Sequence, residues 1–271
     1  PGDWRSLASA RNALGTSLDE IDETDEAEEQ LTRALQGYER QLGPMHPSVA
    51  AVLNNLARVE IDQGKYEEAR ATEERGVAIG ASSEVPAHML SRAWLQMSDA
   101  LSRMGRFDEA RSSLARALDV AQAMPTAQPR LLAFIYGQQG ALERLEGRYD
   151  QALGHLQLAL DLMDRSLGPH HPDSVGPVCD LGLLYLARGQ VAAAIPRLQD
   201  ALSLAEGRSD CLPGRLGLAQ ALWQTGRDRP RARTLVKEER EYFRAHPARA
   251  GEVRDMELWF EKHAPEIDHG D

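Results

Sequence analysis

The fold is decided by Gly64-Lys65-Tyr66-Glu67-Glu68-Ala69, a stretch that returns along the chain at a nearly constant interval. Its copies are Gly105-Arg106-Phe107-Asp108-Glu109-Ala110, Gly147-Arg148-Tyr149-Asp150-Gln151-Ala152 and, more weakly, Gly189-Gln190-Val191-Ala192-Ala193-Ala194. The first residues of these copies are separated by 41, 42 and 42 residues. A fixed period of this length is typical of a chain built from stacked copies of one supersecondary unit.

The alanine that ends the motif extends the repeat toward both ends of the chain. A fifth copy begins at Gly226 with one extra residue, and a step of 42 back from Ala69 reaches Ala27, with Asp22 in the place of the glycine. The alanines that share this phase are Ala27, Ala69, Ala110, Ala152, Ala194 and Ala232. Small residues at fixed phases allow two helices to approach closely. We therefore predict six units of two close-packed helices each.

Apolar residues after these alanines recur at helical spacing, as in Leu31, Ala34 and Leu35. No stretch alternates convincingly enough for a strand, so the predicted class is all-α. Linkers at 42–47 and 167–172 both contain Gly-Pro, which ends a helix, and then His-Pro, which places a proline near the next helix start. The predicted helix pairs are 4–20 with 25–42, 47–63 with 66–79, 86–104 with 107–123, 129–146 with 149–167, 172–188 with 191–206, and 212–225 with 230–245, followed by a last helix at 248–263.

With these motifs in phase, the chain resembles a tetratricopeptide-repeat protein over nearly all of its length. The period of about 42, against about 34 for the usual repeat, and the segment Leu53-Asn54-Asn55-Leu56-Ala57 are similar to the kinesin-light-chain type. The resemblance implies a right-handed α-solenoid of about six helix-turn-helix pairs with a C-terminal capping helix. The expected domain is a single solenoid over 1–264 with a tail at 265–271, its repeats being 1–42, 43–80, 84–124, 126–167, 169–206 and 209–246.

Composition narrows the function classes. The net charge is −11, from 42 acidic and 31 basic side chains, the opposite of the balance that a nucleic-acid binder usually shows. Apolar stretches reach about six residues, against the eighteen or more of a membrane helix, so we expect no membrane insertion. The start at Pro1 suggests an excised fragment. Two cysteines are too few for a disulfide framework, and a reducing, cytoplasmic location is the simplest interpretation.

Motifs for catalysis or cofactor binding are missing from the sequence. It contains no GxGxxG, GxxxxGK[ST], HRD, DFG or GxSxG pattern. Cys179 lies in an apolar segment and is interpreted as a buried structural thiol. His170-His171 belongs to the Gly-Pro linker and is not interpreted as a metal site. We predict a protein that is not an enzyme and has no cofactor and no metal ion.

Two acidic features leave alternatives open. The run from Asp19 to Glu29 is interpreted as a solvated turn, with Asp25 and Glu26 at a helix N-terminus, or as a contact for a basic partner or a cation. Glu73 occupies the position held elsewhere by Leu31, Leu114, Leu156 and Leu198. It indicates either a partly exposed, loosely packed helix or a carboxylate placed toward a partner.

Since no motif for catalysis, cofactor binding or membrane insertion is present, the remaining class of function is the binding of another protein or peptide. The resemblance implies that the first helices of the pairs line a concave groove, where polar side chains can hold an extended peptide. The asparagine amides could pair with peptide backbone, and Arg58, Arg92 and Arg103 could hold carboxylates. Packing or solvation is the alternative role for Asn54 and Asn55. The candidate groove residues are Asn12, Thr16, Asn54, Asn55, Arg58, Arg92, Gln96, Asp99, Arg103, Gln138, Arg144, Asp180 and Gln220.

The predicted function is non-catalytic binding of a peptide or protein segment in this groove. The stretch from Leu218 to Ala232 resembles the C-terminal repeat regions of large bacterial serine/threonine kinases, which implies a sensing or docking role in a signalling protein. The groove has no lysine in its central repeats, so binding of chaperone C-terminal tails is not predicted. The alternative is a structural scaffold that self-associates. An enzyme site across repeats and an RNA reader are disfavoured by the motifs and by the charge.

Overall fold

The structure is a computed structural model that describes residues 4–82, 85–126, 128–205, 211–245 and 254–264. Within these ranges the chain forms α-helices and one 3-10 turn, Pro172–Ser174, with no strand. The helices are α1 (Trp4–Asp19), α2 (Thr24–Leu42), α3 (Pro47–Asp62), α4 (Tyr66–Ser82), α5 (Ala87–Arg103), α6 (Phe107–Gln122), α7 (Pro129–Leu145), α8 (Tyr149–Leu167), α9 (Val175–Ala187), α10 (Val191–Ala205), α11 (Leu212–Thr225), α12 (Arg229–Ala245) and α13 (Arg254–His263). The predicted all-α class is confirmed. The predicted bounds of α1 to α12 hold to within three residues, and the predicted start of the last helix, 248–253, lies outside the described residues.

The chain divides into two compact units, residues 1–138 (unit 1) and 139–271 (unit 2), with the boundary inside α7. In unit 1 the helices pair as α1 with α2, α3 with α4, and α5 with α6, and α2 packs on α3 as α4 does on α5. In unit 2, α9 pairs with α10 and α11 with α12, while α13 packs on α11. The single solenoid over 1–264 stays a prediction, and its tail at 265–271 lies outside the described residues.

The core follows the repeat of the sequence. The six phase-sharing alanines, Ala27, Ala69, Ala110, Ala152, Ala194 and Ala232, are all 0% exposed. The leucines four residues later, Leu31, Leu114, Leu156 and Leu198, are fully or almost fully buried. An alanine at the closest approach of two helices leaves room for the leucine of the neighbouring turn, and burial of such leucines contributes about 1.5–3 kcal/mol each. The residues that repeat in the sequence are thus the residues that recur at the same positions in the core.

The turn within each helix pair requires a left-handed residue. Gly64, Gly105, Gly147 and Gly189 have φ between 72° and 78°, a region that glycine enters without steric cost. Asp22 takes the same place in the first pair with φ 62°, as aspartate tolerates better than most residues. The backbone N–H of the following residue donates to a backbone carbonyl of the first helix, as that of Lys65 does to the carbonyl of Glu60 at 2.7 Å. The repeated glycine therefore ends each first helix.

The His-Pro linkers start helices by capping them. Nδ1 of His46 accepts a hydrogen bond from the backbone N–H of Ser48 at 3.1 Å. Nδ1 of His171 accepts one from the backbone N–H of Asp173 at 3.2 Å. Each histidine thus satisfies one of the free N–H groups of the helical turn that follows it. The linker role predicted for these histidines fits these contacts.

The two cysteines correct a prediction. Cys179 of α9 is buried as expected, but it is not a free thiol, because it forms a disulfide with Cys211 at the start of α11. Packing of α9 beside α11 brings the two Cα atoms to 6.1 Å, within the range that a disulfide requires. The partners are 32 residues apart in the sequence, so neither forms a recognisable short motif.

A pair of glycines in unit 2 gives a matched test of the close packing. A Cβ on Gly182 of α9 would lie 2.6 Å from Cγ of Leu198, whereas a Cβ on Gly154 of α8 would meet nothing within 4 Å. Gly182→Ala is expected to destabilise unit 2 by about 1–3 kcal/mol through overpacking. Gly154→Ala should stabilise it by about 0.5–1 kcal/mol through helix propensity. Urea unfolding of both variants checks the signs, and equal effects would contradict the packing described.

Candidate functional site

Two asparagines join the first helices of the first two pairs. Nδ2 of Asn55 in α3 donates to Oδ1 of Asn12 in α1 at 3.0 Å, and both side chains are half-buried. The hydroxyl of Thr16 donates to the backbone carbonyl of Asn12 at 3.0 Å, so Thr16 is engaged within its own helix. The bond between the asparagines leaves the amide N–H₂ of Asn12 and the carbonyl oxygen of Asn55 for other partners.

Arg58 is held by a carboxylate that the sequence analysis did not pair with it. Nη1 of Arg58 lies 2.5 Å from Oδ2 of Asp19, which is buried at the end of α1. Burial raises the pKa of Asp19, while the charge of Arg58 acts in the opposite direction and Asp22 adds to the rise. Asp19 is therefore not part of a solvated turn, in contrast to the prediction for the acidic run. Asp25 and Glu26 do lie in the first turn of α2, as predicted.

The next first helix, α5, presents a cation and an amide. Arg92 is exposed, and among the described residues no carboxylate forms an ion pair with it. Oε1 of Gln96, one turn further on, is buried and accepts no hydrogen bond from the described residues. Asp99 and Arg103 pair with each other at 3.1 Å. Arg103 also lies over the ring of Tyr66, with 5.9 Å to its centroid. Arg92 and Gln96 are thus the groups of α5 most able to accept a ligand.

Asn54 has a packing position. It is buried, and its Nδ2 donates to the backbone carbonyl of Met89 in α5 at 3.4 Å. Asn54 therefore does not present its amide on a groove, whereas Asn55, one residue later, is half-buried beside Asn12. The difference follows from the rotation of 100° per residue in a helix.

The position of Glu73 contradicts both interpretations that were made of this residue from the sequence. It is fully buried inside unit 1, so it is neither partly exposed nor placed toward a partner, and neither carboxyl oxygen has a hydrogen-bond partner among the described residues. Burial raises its pKa well above the usual value, Arg92 lowers it and Glu60 raises it further. Burial likewise raises the pKa of Glu60 to about 7. The leucine register of the repeat was the signal for this burial.

In unit 2, two predicted groove residues satisfy each other. Nη2 of Arg144 in α7 donates to Oδ1 of Asp180 in α9 at 2.8 Å, and both side chains are largely buried. Gln220 of α11 is half-buried, as is Gln138, which belongs to unit 1. The Arg144–Asp180 contact joins neighbouring first helices in the same way as Asn12–Asn55 and Asp19–Arg58. Lateral contacts between first helices are thus what the sequence analysis missed, because each joins residues 36 to 43 apart.

The described residues offer neither a candidate metal site nor a candidate membrane-spanning helix. Within the described ranges, no three His, Cys, Asp or Glu side chains cluster in a way that could hold a metal ion. None of the helices described above is long and apolar enough to cross a bilayer.

The fold is shared with solved proteins of low sequence identity. A kinesin light chain from Podosopora anserina with nearly identical TPR-like repeats is 21% identical, with a TM-score of 0.54; the match covers 77% of this chain and 100% of that one. A Rap protein complexed with competence and sporulation factor is 15% identical, with a TM-score of 0.66, over 96% of this chain and 74% of that one. At these identities the likeness concerns the fold alone.

Sequence comparison extends this likeness to a curated relative and to a family. Regulatory protein AfsR from Streptomyces griseus is 29% identical over 174 residues, which are 64% of this chain but only 16% of that protein. Family models described as tetratricopeptide repeat match residues 2–82 and 131–207, 91–124, and 179–251. The first of these models alone covers more than half of the chain, and the resemblance to this family is confirmed. The chain belongs to the tetratricopeptide-repeat family.

Proposed function

We propose that the chain is a non-catalytic protein-binding module that holds an extended segment of a partner protein along the first helices of unit 1. The residues that would contact the segment are Asn12 and Asn55, then Arg92 and Gln96, which we call the unit 1 row. The observation that carries the proposal is the Asn12–Asn55 pair, set across neighbouring first helices with a donor and an acceptor still available.

The asparagine pair matches the chemistry of a peptide backbone. A peptide group offers one N–H and one C=O, and the pair offers the carbonyl of Asn55 and the N–H₂ of Asn12. Such pairing reads no side chain, so it supports affinity for an extended segment of many sequences. Oε1 of Gln96 adds a buried acceptor without a donor, and leaving such a group unmatched costs about 1–3 kcal/mol. Gln96 as a whole is half-buried, so a rotation of its side chain would bring this oxygen to a ligand N–H, which would remove that cost.

Arg92 supplies the charge of the row. Its pKa is lowered, first by partial desolvation and then by the nearby charge of Arg58, although its side chain remains in contact with water. An exposed cation whose pKa is nevertheless lowered by partial desolvation fits a position on a groove. A carboxylate of the partner would face less competition from water there than at an open surface. Arg58 contributes less, since Asp19 already neutralises it.

A place in a signalling protein is the finer part of the proposal. The curated relative is a regulatory protein of which this chain matches only a part, and a Rap protein of similar fold has been solved with a bound factor. Both support a sensing or docking region within a larger bacterial protein, such as a serine/threonine kinase. The net charge of −11 supports a protein rather than a nucleic acid as the ligand.

The test uses a displayed random-peptide library selected on the wild-type chain. The affinity of the selected peptides is then measured by fluorescence anisotropy. The double variant Asn55→Ala with Arg92→Ala is expected to lose affinity at least about tenfold, because it removes a hydrogen-bonding amide and the exposed cation. Both side chains reach solvent, so the variant should fold like the wild type, which circular dichroism checks.

The control is a matched pair of exposed residues on a second helix. Arg33→Ala with Gln36→Ala alters α2, where both side chains are exposed, and the selected peptides should bind this variant with unchanged affinity. Equal losses in the two double variants would contradict the unit 1 row as the binding site. Selection of no peptide at all would contradict peptide binding itself.

A further inference from the structure

Helix α12 carries a stripe of positive charge. Its cations follow one another at intervals of four, four, three and four residues, and at 100° per residue they share one side of the helix, within an arc of about 80°. No acidic residue of α12 lies inside this arc. The five cations, which we call the α12 stripe, are Arg229, Arg233, Lys237, Arg240 and Arg244.

One residue of the stripe shows how this side of α12 holds a carboxylate. Nε and Nη2 of Arg240 both donate to Oε2 of Glu257 in α13, at 2.9 Å and 2.8 Å. The other four cations are exposed, and among the described residues no carboxylate forms an ion pair with any of them. Like charges four residues apart on a helix repel each other. The stripe therefore offers four cations to an anion from outside.

Two of these cations are held in position by an aromatic ring. The guanidinium carbon atoms of Arg229 and Arg233 lie 5.0 Å and 5.8 Å from the ring centroid of Trp223, which is buried in α11. Attraction between a cation and an aromatic face limits the conformations of both arginine side chains. Binding of a ligand therefore costs less side-chain entropy than it would with freely rotating arginines.

Three positions of the stripe are apolar in an earlier helix pair. The residues of α8 at the first, second and fourth places of the stripe, counted from the alanine of the motif, are Tyr149, Leu153 and Leu160. They pack in one cluster with Leu181 and Leu184 of the following first helix, α9. Cations at these places on α12 cannot be covered by an apolar helix without a large desolvation cost. This side of α12 is therefore suited to an acidic occupant.

We propose that the α12 stripe is a docking site for an acidic segment of a partner protein, whose carboxylates pair with the exposed cations as Glu257 pairs with Arg240. Cations four residues apart are separated by about 6 Å along the helix axis. Carboxylates have nearly the same spacing on every fourth residue of a helix and on every second residue of an extended strand. The site lies on a second helix of unit 2, so it goes beyond the binding of a segment by the unit 1 row.

The surroundings of the stripe favour a narrow acidic segment over a broad anionic surface. Glu238 and Glu241 of α12 are exposed outside the arc of the stripe. A duplex nucleic acid or an anionic bilayer would bring its phosphates close to these two carboxylates as well, at a cost in repulsion. The stripe also contains no apolar side chain that could insert into a bilayer. A single acidic segment can lie along the cations without covering the two carboxylates.

The test uses a fluorescein-labelled polyglutamate peptide of about sixteen residues, long enough to span the stripe as a helix or as an extended chain. Its affinity is measured by fluorescence anisotropy at low salt, where ion pairs are least screened. The double variant Arg233→Gln with Lys237→Gln is expected to bind the peptide at least about tenfold more weakly than the wild type, because it removes two neighbouring cations from the middle of the stripe.

The matched control is Arg197→Gln with Arg231→Gln, which removes two exposed arginines of unit 2 that lie outside the stripe. Both double variants lose the same charge, so a general attraction to the chain would weaken equally in both. The control should bind the peptide within about twofold of the wild type. Equal losses in the two variants would overturn the stripe as the site, and so would a wild type that does not bind the peptide.

Further arms identify the occupant. Tighter binding of duplex DNA, or of vesicles of anionic lipid, than of the peptide would overturn an acidic protein segment as the ligand. A chain that ends at Ala264 should bind the peptide as the whole chain does. A gain of about tenfold on this deletion would show that residues 265–271, which include three acidic side chains, occupy the stripe in place of a partner.

A variant of the unit 1 row separates the two binding surfaces. Asn55→Ala with Arg92→Ala should bind polyglutamate like the wild type, because it leaves the α12 stripe intact. A loss as large as that of Arg233→Gln with Lys237→Gln would place the peptide on the unit 1 row and overturn the stripe. Peptides selected from the random library test the unit 1 row on their own, so either surface can fail without the other.

Discussion

Replacement of Glu73 by leucine is expected to stabilise unit 1 by about 2–4 kcal/mol at pH 8, since it removes a buried carboxyl group that has no hydrogen-bond partner among the described residues. Leucine is the residue that the other repeats bury at this position, as in Leu31 and Leu114. Hydrogen exchange of the α4 amides measures the effect, because a repeat protein unfolds in parts. Protection of residues 70–79 should rise.

The control for this variant is Glu68→Leu, at an exposed position of the same helix. It should leave the exchange of residues 70–79 almost unchanged, since exposed substitutions usually alter stability by less than about 0.5 kcal/mol. Unchanged or weaker protection in Glu73→Leu would mean that the carboxyl group makes a favourable contact, contrary to its placement.

The same carboxyl groups predict how stability depends on pH. The pKa of Glu60 rises from 4.5 to about 7, chiefly through burial; the hydrogen bond with Thr72 and the charge of Lys65 lower it, and Glu28 and Glu68 raise it. A raised pKa means that the folded state binds the proton more tightly, so its stabilising effect is complete below pH 4.5 and is lost as pH rises toward 7. Glu73, which faces Arg92 and Glu60, acts with the same sign. Unit 1 should therefore be more stable at pH 5.5 than at pH 8.

Neutral variants isolate this effect. A pKa raised from 4.5 to about 7 accounts for about 2 kcal/mol of the difference in stability between pH 5.5 and pH 8. This dependence should be much weaker in the double variant Glu60→Gln with Glu73→Gln. The exchange of the α4 amides at several pH values, corrected for the intrinsic rate, is the measurement. A wild-type unit 1 that gains stability from pH 5.5 to pH 8 would contradict the burial of these groups.

Removal of the disulfide is the second large effect. Cys179→Ala with Cys211→Ala is expected to lower the free energy of unfolding of unit 2 by about 3–4 kcal/mol, the entropy of a closed loop of 32 residues in the unfolded chain. Reduction of the wild type should give a similar loss. Gly214 supports the close contact, because a Cβ there would lie 2.1 Å from Sγ of Cys211 and 2.7 Å from Sγ of Cys179.

The measurement is urea unfolding with and without reductant, in a background with Trp4→Phe and Trp94→Phe, so that tryptophan fluorescence reports on unit 2. Trp223 lies there in the same buried cluster as both cysteines. Reductant should leave the free energy of unfolding of unit 2 unchanged in the double alanine variant, because this variant has no disulfide to reduce. Two titratable thiols in the denatured, unreduced wild type would show that the bond does not form, and would contradict this part of the structure.

Features of the sequence that repeat were predictable, and lateral contacts were not. The alanine phase predicted the close pairing of α1 with α2, α3 with α4, α5 with α6, α9 with α10 and α11 with α12, because the same packing recurs each time the motif does. The glycine motif predicted the helix bounds because only a few residues accept a positive φ. The contacts Asn12–Asn55, Asp19–Arg58 and Cys179–Cys211 each depend on how one helix rotates against another. A period in the sequence does not specify that rotation. Asn12, Asn55 and Arg58 were therefore candidate groove residues without assigned partners, and Cys179 was interpreted as a free buried thiol.

Glu73 shows that the type of a residue can mislead where its position in the repeat does not. The sequence analysis interpreted its charge as partial exposure or a contact with a partner, but Glu73 is buried like the leucines of its register. A helix face cannot turn for one residue without exposing its neighbours. In the same way, Asn54 and Asn55 were grouped by residue type although only one of them reaches the unit 1 row. The register of a residue in its repeat was the better guide to its surroundings.

The central claim is that the first helices of unit 1 hold a partner segment, and the side-chain amide signals of Asn12, Asn55 and Gln96 report on it directly. Addition of a selected peptide to the ¹⁵N-labelled chain should shift these three signals in nuclear magnetic resonance spectra, while the amide signal of Gln36 on α2 stays in place. Shifts confined to Gln36 and to other second-helix amides, with those of Asn12 and Asn55 unchanged, would contradict the claim.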